Sequence, residues 1–218
     1  MNLSEKLRRE NIELWNRILR HPFITEMEKA SLPERKFKYY LSQDSYYLDG
    51  LLRVIAYAAA KAPSRELIRF FAEFMIATIE GEIAVQNKIR SIIEVKEERI
   101  DRVTEEYISY MLRVAKEEGF PEIMASIMPC MWTYELIGDL LKDTLAASHR
   151  VYGIWVKEYC SQPYRDLVSK LKKILDDMED SLTQGQIDKM REHFRRCSEF
   201  ELKFWDMAYN WSSTSLSK

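Results

Sequence analysis

Three side chains stand where this chain's periodicity calls for structural residues, and each could do chemistry. Cys130 lies in Met128-Pro129-Cys130-Met131-Trp132-Thr133-Tyr134. Pro129 lacks an amide hydrogen and interrupts an apolar run of helical character, so a fresh helix is expected beside it, with Cys130 in its first turn. Free amides and the positive end of a helix dipole favour a thiolate, the nucleophilic form of cysteine. Asp44 falls on the stripe Phe37, Tyr40, Leu41, Asp44, Tyr47, Leu48 and Leu51, which sets a carboxylate among rings on the inward side of a helix. Glu201 interrupts a second stripe, Ile187, Met190, Phe194, Cys197, Glu201, Phe204 and Ala208.

Each residue has an ordinary explanation. Free cysteine is usually a small buried apolar side chain, and a buried acid is often half of an ion pair or the partner of a tyrosine. Two acids on separate inward stripes are harder to dismiss, because a buried carboxylate is costly unless it is paired, protonated or used. With Cys130 and Tyr47, Tyr107, Tyr134 and Tyr159 they make a pocket of one nucleophile, two acids and several rings. Trp132 and Tyr134 add large rings with polar handles, a type that commonly lines ligand sites.

The elements that must position these groups are helices. Six glycines and six prolines in 218 residues leave few places for the turns of an all-β or α/β chain. Ser4 is expected to cap a first helix through Leu7, Ile12, Trp15, Ile18 and Leu19, ending near His21-Pro22, with a short helix over 23–29 after it. Pro33 opens a long helix to about Ala62. Ser64 caps another to about Ile93, with Glu80 and Glu82 in its second half, and the charged run 96–99 reads as a solvated connection. Thr104 starts a helix ending at Gly119, and Pro121 starts the one that Pro129 interrupts and that resumes to about Ala147. Ser148 or His149 introduces a helix with Tyr152, Trp155 and Tyr159 on one face, and Pro163 opens the next, to about Glu179. Thr183 and Gln186 have capping-box spacing for the last long helix, and a tail after about 211 is expected to be disordered. No repeat, low-complexity tract or linker divides residues 1–218, so one all-α domain, a helical bundle, is expected.

Composition narrows the partners. With 33 basic and 35 acidic residues the net charge is −2, and no basic stripe is present, which argues against nucleic acid or an anionic membrane. Cys130, Cys160 and Cys197 cannot all pair and match no zinc spacing, so a reducing cytoplasm is expected. The N-terminal residues carry no apolar core of signal-peptide type, and no segment approaches a membrane span. His21, His149 and His193 supply no Glu-x-x-His pair for a di-iron bundle. His149 reads as a surface or capping residue and His193, between charged neighbours, as exposed. No metal and no cofactor is expected.

These residues resemble the TenA family, the thiaminase II type of aminopyrimidine aminohydrolases. The similarity runs end to end through His21-Pro22-Phe23, Tyr40-Leu41-x-Gln43-Asp44-x-Tyr46-Tyr47-Leu48 and Tyr107. It continues through Pro129-Cys130-x-Trp132-x-Tyr134-x-x-Ile137-Gly138, Tyr152-x-x-Trp155-Val156-x-x-Tyr159 and Glu201-x-x-Phe204-Trp205-x-x-Ala208. The resemblance implies a haem-oxygenase-like bundle that uses no haem, a homotetramer, and hydrolysis of 4-amino-5-aminomethyl-2-methylpyrimidine to the hydroxymethyl pyrimidine, with thiamine cleaved by many members. It makes Cys130 the nucleophile, Glu201 the acid/base and Asp44 the reader of the pyrimidine, with Tyr47, Tyr107, Tyr134 and Tyr159 as pocket rings. Gln86 departs from the pattern, since many relatives have histidine there, and Ser31-Leu32-Pro33 replaces a usual glycine. A non-catalytic pyrimidine-binding protein and an oxidoreductase of the same fold are the competing readings.

Overall fold

The computed structural model describes residues 1–212, which form helices joined by short turns, with no strand among them. The expected disordered tail falls largely outside the described residues. The chain opens with α1 (Leu3–Glu10), α2 (Ile12–Leu19) and α3 (Pro22–Glu28). The single first helix is thus corrected to two, broken at Asn11, whose side-chain amide bonds the Leu7 carbonyl at 2.8 Å and competes with the helix for it. Ser4 lies inside α1 instead of capping it, and its amide is bound by the Asp176 carboxylate at 2.9 Å.

Pro33 precedes α4 (Glu34–Lys61), and the Ser64 hydroxyl caps α5 (Arg65–Thr78). The expected single helix to Ile93 is interrupted by a π turn (Ile79–Ile83) before α6 (Ala84–Arg90). The connection 91–101 is sewn to α4 by Gln43, which donates to the Arg99 carbonyl and accepts from the Asp101 amide at 2.8 Å. Asp101, one turn earlier than Thr104, caps α7 (Arg102–Glu117).

In α8 (Phe120–Leu141) the helix passes straight through Pro129. Pro129 leaves the Ala125 carbonyl without its usual amide partner, a cost of about 3 kcal/mol in a helix interior. Burial on all sides offsets it: every residue from 122 to 134 is buried, as in a helix at the centre of a bundle. α8 ends at Leu141, and α9 (Leu145–Ser148) is a separate single turn, so the expected run to Ala147 is shortened. His149 accepts from the amides of Val151 and Tyr152 at the start of α10 (Tyr152–Tyr159), the capping role expected of it. α11 (Gln162–Met178) and α12 (Gln184–Asn210) complete the chain, and the capping box of Thr183 and Gln186 is formed.

α8 packs along α12 and also contacts α4, α7, α10 and α11. His193 of α12 is buried, correcting the exposed position expected for it, because its face of the helix turns toward α7 and its Nδ1 lies 2.8 Å from the Tyr110 hydroxyl. No described helix is long and apolar enough to cross a membrane.

Candidate active site

Asp44 and Tyr47 come from α4, Tyr107 from α7, Cys130 and Tyr134 from α8, Tyr159 from α10 and Glu201 from α12. The fold brings all seven into one linked cluster in the core. Cys130, Glu201 and Asp44 are only 3%, 2% and 3% exposed.

The Tyr107 hydroxyl donates to Glu201 Oε1 at 2.7 Å, and its ring packs against Tyr47 at 4.9 Å between centroids. The Cys130 thiol lies close enough to Tyr47 and Glu201 for both to alter its hold on its proton. Burial pushes the Glu201 carboxyl up from its usual 4.5 to about 8, against the opposing pull of the Tyr107 bond.

Asp44 is held differently. Its Oδ2 accepts from Gln86 Nε2 at 2.7 Å and from the Tyr40 hydroxyl at 3.1 Å. Tyr40 is itself fixed by Trp155 Nε1 at 3.2 Å and stacks on Trp205 at 5.2 Å. Burial raises the Asp44 carboxyl to about 7, with Tyr40, Gln86 and then Arg90 pulling the other way. Tyr134 and Tyr159 face one another at 4.8 Å, joining the Asp44 side to α10.

One expectation about Cys130 is overturned. It sits mid-helix in α8, far from any free amides, so no helix terminus lowers its pKa. Burial, then the charges of Glu201 and Glu82, push the thiol well above its ordinary value. The resting Cys130 is therefore a thiol, with the Glu201 carboxyl as its neighbour.

Sequence reasoning did not assign Tyr40, Gln86 or Glu82 to the site. Glu82 is 5% exposed and accepts from the Tyr159 hydroxyl at 3.1 Å. The signal for it was faint. In a regular α-helix residues four apart drift by about 40° around the axis, so Thr78, Glu82 and Gln86 should spiral off one face. All three are buried, because the wider π turn between them takes out that drift.

A buried cysteine, buried acids and tyrosine rings thus meet inside an all-α bundle. The TENA/THI-4/PQQC family model matches residues 9–211, and the chain belongs to that family. The aminopyrimidine aminohydrolase of Halalkalibacterium halodurans is 30% identical over 216 residues, 96% of each chain. That of Bacillus subtilis is 30% identical over 226 residues, covering 100% of this chain and 95% of the relative. Among solved structures, a TenA homologue from Pyrococcus furiosus superposes with a TM-score of 0.89 at 29% identity, over 95% of this chain and 100% of the other. The TenA homologue from P. horikoshii OT3 gives 0.86 at 31%, over 96% and 99%. The haem-oxygenase-like fold expected from the sequence is the fold these relatives share.

Proposed function

We propose that this protein is an aminopyrimidine aminohydrolase of thiamine salvage, converting 4-amino-5-aminomethyl-2-methylpyrimidine to the hydroxymethyl pyrimidine and accepting thiamine as a second substrate. The observation that carries this reading is the placement of Cys130 beside Glu201 in a buried cluster that also holds Asp44. The bond to be broken joins a ring methylene to nitrogen, and an electron-poor pyrimidine gives little help to direct displacement by water.

Addition of sulfur to the ring changes that. Glu201 takes the thiol proton and delivers a proton to a ring nitrogen as the Cys130 sulfur bonds to the carbon beside the substituted position. The ring, now electron-rich, expels ammonia from the methylene. Water adds to that methylene and gives its second proton to the released ammonia, the carbon–sulfur bond breaks, and the ring-nitrogen proton returns through Glu201 to sulfur. The net change is protonated amine plus water to alcohol plus ammonium. Asp44 holds the amino-pyrimidine edge with charge-assisted hydrogen bonds while Tyr47, Tyr107, Tyr134 and Tyr159 enclose its faces.

The reading includes a cytoplasmic homotetramer. Ile68, Ile76 and Ile79 supply exposed apolar surface along α5 and the π turn, and Leu140 and Leu145 add more near the end of α8. Light scattering in solution tests the assembly.

The decisive experiment is turnover of the aminomethyl pyrimidine and of thiamine, side by side, with wild type, Cys130→Ser and Glu201→Gln. Product from wild type alone, with the hydroxymethyl pyrimidine still bound by both variants, supports the mechanism. Undiminished turnover in Cys130→Ser removes sulfur from it. A folded wild type that binds the hydroxymethyl pyrimidine and turns over neither substrate makes the protein a binding protein.

A further inference from the structure

The hydrolase mechanism uses Cys130, Glu201 and Asp44 and leaves Glu82 without a task. Glu82 is nevertheless buried against the same cluster, where Tyr159, packed on Tyr134 at 4.8 Å, donates to it at 3.1 Å. Its Oε2 is taken by Tyr159, while among the described residues no group donates to its Oε1. Burial makes the charged form costly, so this carboxyl keeps its proton until something cationic meets it.

Among the described residues no basic side chain bonds to it. Arg90, whose charge acts on Asp44, is turned to Ser45 Oγ and the Leu41 carbonyl. On its other side Glu82 borders a cleft of about 330 Å³ whose charged lining is Glu80, Glu82 and Glu158, with no basic residue. The acids are also not arranged as metal ligands, since among the described residues no three His, Cys, Asp or Glu side chains come together to hold a metal ion. The buried carboxyls therefore rest with their protons, and a cationic ligand is the partner that can draw one of them into its charged form.

Resting on the hydrolase reading, we infer that Glu82 is the residue that binds the positively charged leaving group, the ammonium of the aminomethyl pyrimidine or the thiazolium of thiamine. Asp44 and Glu201 are committed to the ring, which leaves the Glu82 Oε1 for the substituent on the methylene. The ion pair exists with substrate and is lost with product, because the hydroxymethyl group is neutral. Glu82 thereby favours amine over alcohol in the pocket, excludes neutral acylated amines, and helps the product leave. The π turn is what brings it there, one turn before Gln86, which meets Asp44.

Glu82→Gln tests this, since the amide keeps the shape and still accepts from Tyr159. The expected result is a rise of roughly tenfold or more in KM for the aminomethyl pyrimidine and for thiamine, with Kd for the hydroxymethyl pyrimidine within about twofold of wild type. Glu82→Asp, which restores charge on a shorter arm, recovers part of the loss. Equal weakening of amine and alcohol in Glu82→Gln would mean a structural role and overturn the inference. So would an unchanged KM for both cations while wild type remains active. An inactive wild type removes the hydrolase reading itself and the inference with it.

Discussion

The Tyr107 hydroxyl donates to Glu201 Oε1 over 2.7 Å, so a residue of α7 sets the proton affinity of an acid on α12. That bond favours the carboxylate form and opposes the burial that raises Glu201 to about 8. Tyr107→Phe removes the donor and keeps the ring. Glu201 then moves further up, and the rising limb of the pH–rate profile shifts upward by about one pH unit, with a lower rate at neutral pH. A limb that stays in place would show that Glu201 is not the group being titrated.

Gln86 holds Asp44 Oδ2 at 2.7 Å and is held in turn by Ser45 Oγ at 2.9 Å. Gln86→Leu strips the donor, leaves Asp44 to Tyr40 alone and drives its carboxyl above about 7. Affinity for the aminomethyl and hydroxymethyl pyrimidines should fall together by about tenfold, because both present the same ring edge. Gln86→His keeps a donor in reach and should lose less. Isothermal titration with the two ligands separates this joint loss from the cation-selective loss expected of Glu82→Gln.

Stability should carry the mark of the three acids. Glu82 and Glu201 rise from 4.5 to about 8 and Asp44 from 3.8 to about 7, so the folded chain keeps protons that the unfolded chain releases. Their protonated forms stabilise the fold fully below the unfolded values, and that contribution is lost as pH rises toward about 8. Urea midpoints measured across this range should fall for wild type more steeply than for Glu82→Gln or Glu201→Gln. Parallel curves for all three would contradict the raised values.

Gly138 lets two helices touch. A Cβ there would meet the Tyr159 backbone carbon at 2.5 Å and the Cys160 nitrogen at 2.7 Å, where backbone cannot yield cheaply. Gly138→Ala should cost about 1–3 kcal/mol and push Tyr159 away from Glu82 and Tyr134. Thermal unfolding and turnover should both suffer, and an unchanged melting temperature would show that α10 has slack the structure does not display.

Helical class, the burial of the seven proposed site residues and most caps were legible in the sequence, because they depend on local rules: a 3.6-residue period, a proline at a helix start, a serine or threonine before it. Asp44 and Glu201 could be picked out because each breaks an apolar stripe, a pattern visible along one helix. Tertiary structure decided what lay between helices. Pro129 stayed inside α8 because burial on every side outweighs one missing hydrogen bond, and that placed Cys130 away from a helix end and raised its pKa. His193 was drawn inside by its contact with Tyr110, which no local pattern foretells. Glu82 turned inward through a π turn whose stability comes from the partners it meets, Tyr159 on α10 and the acids beyond it. Local spacing names the groups that a chain can bring together, and only packing sets the charge each one feels.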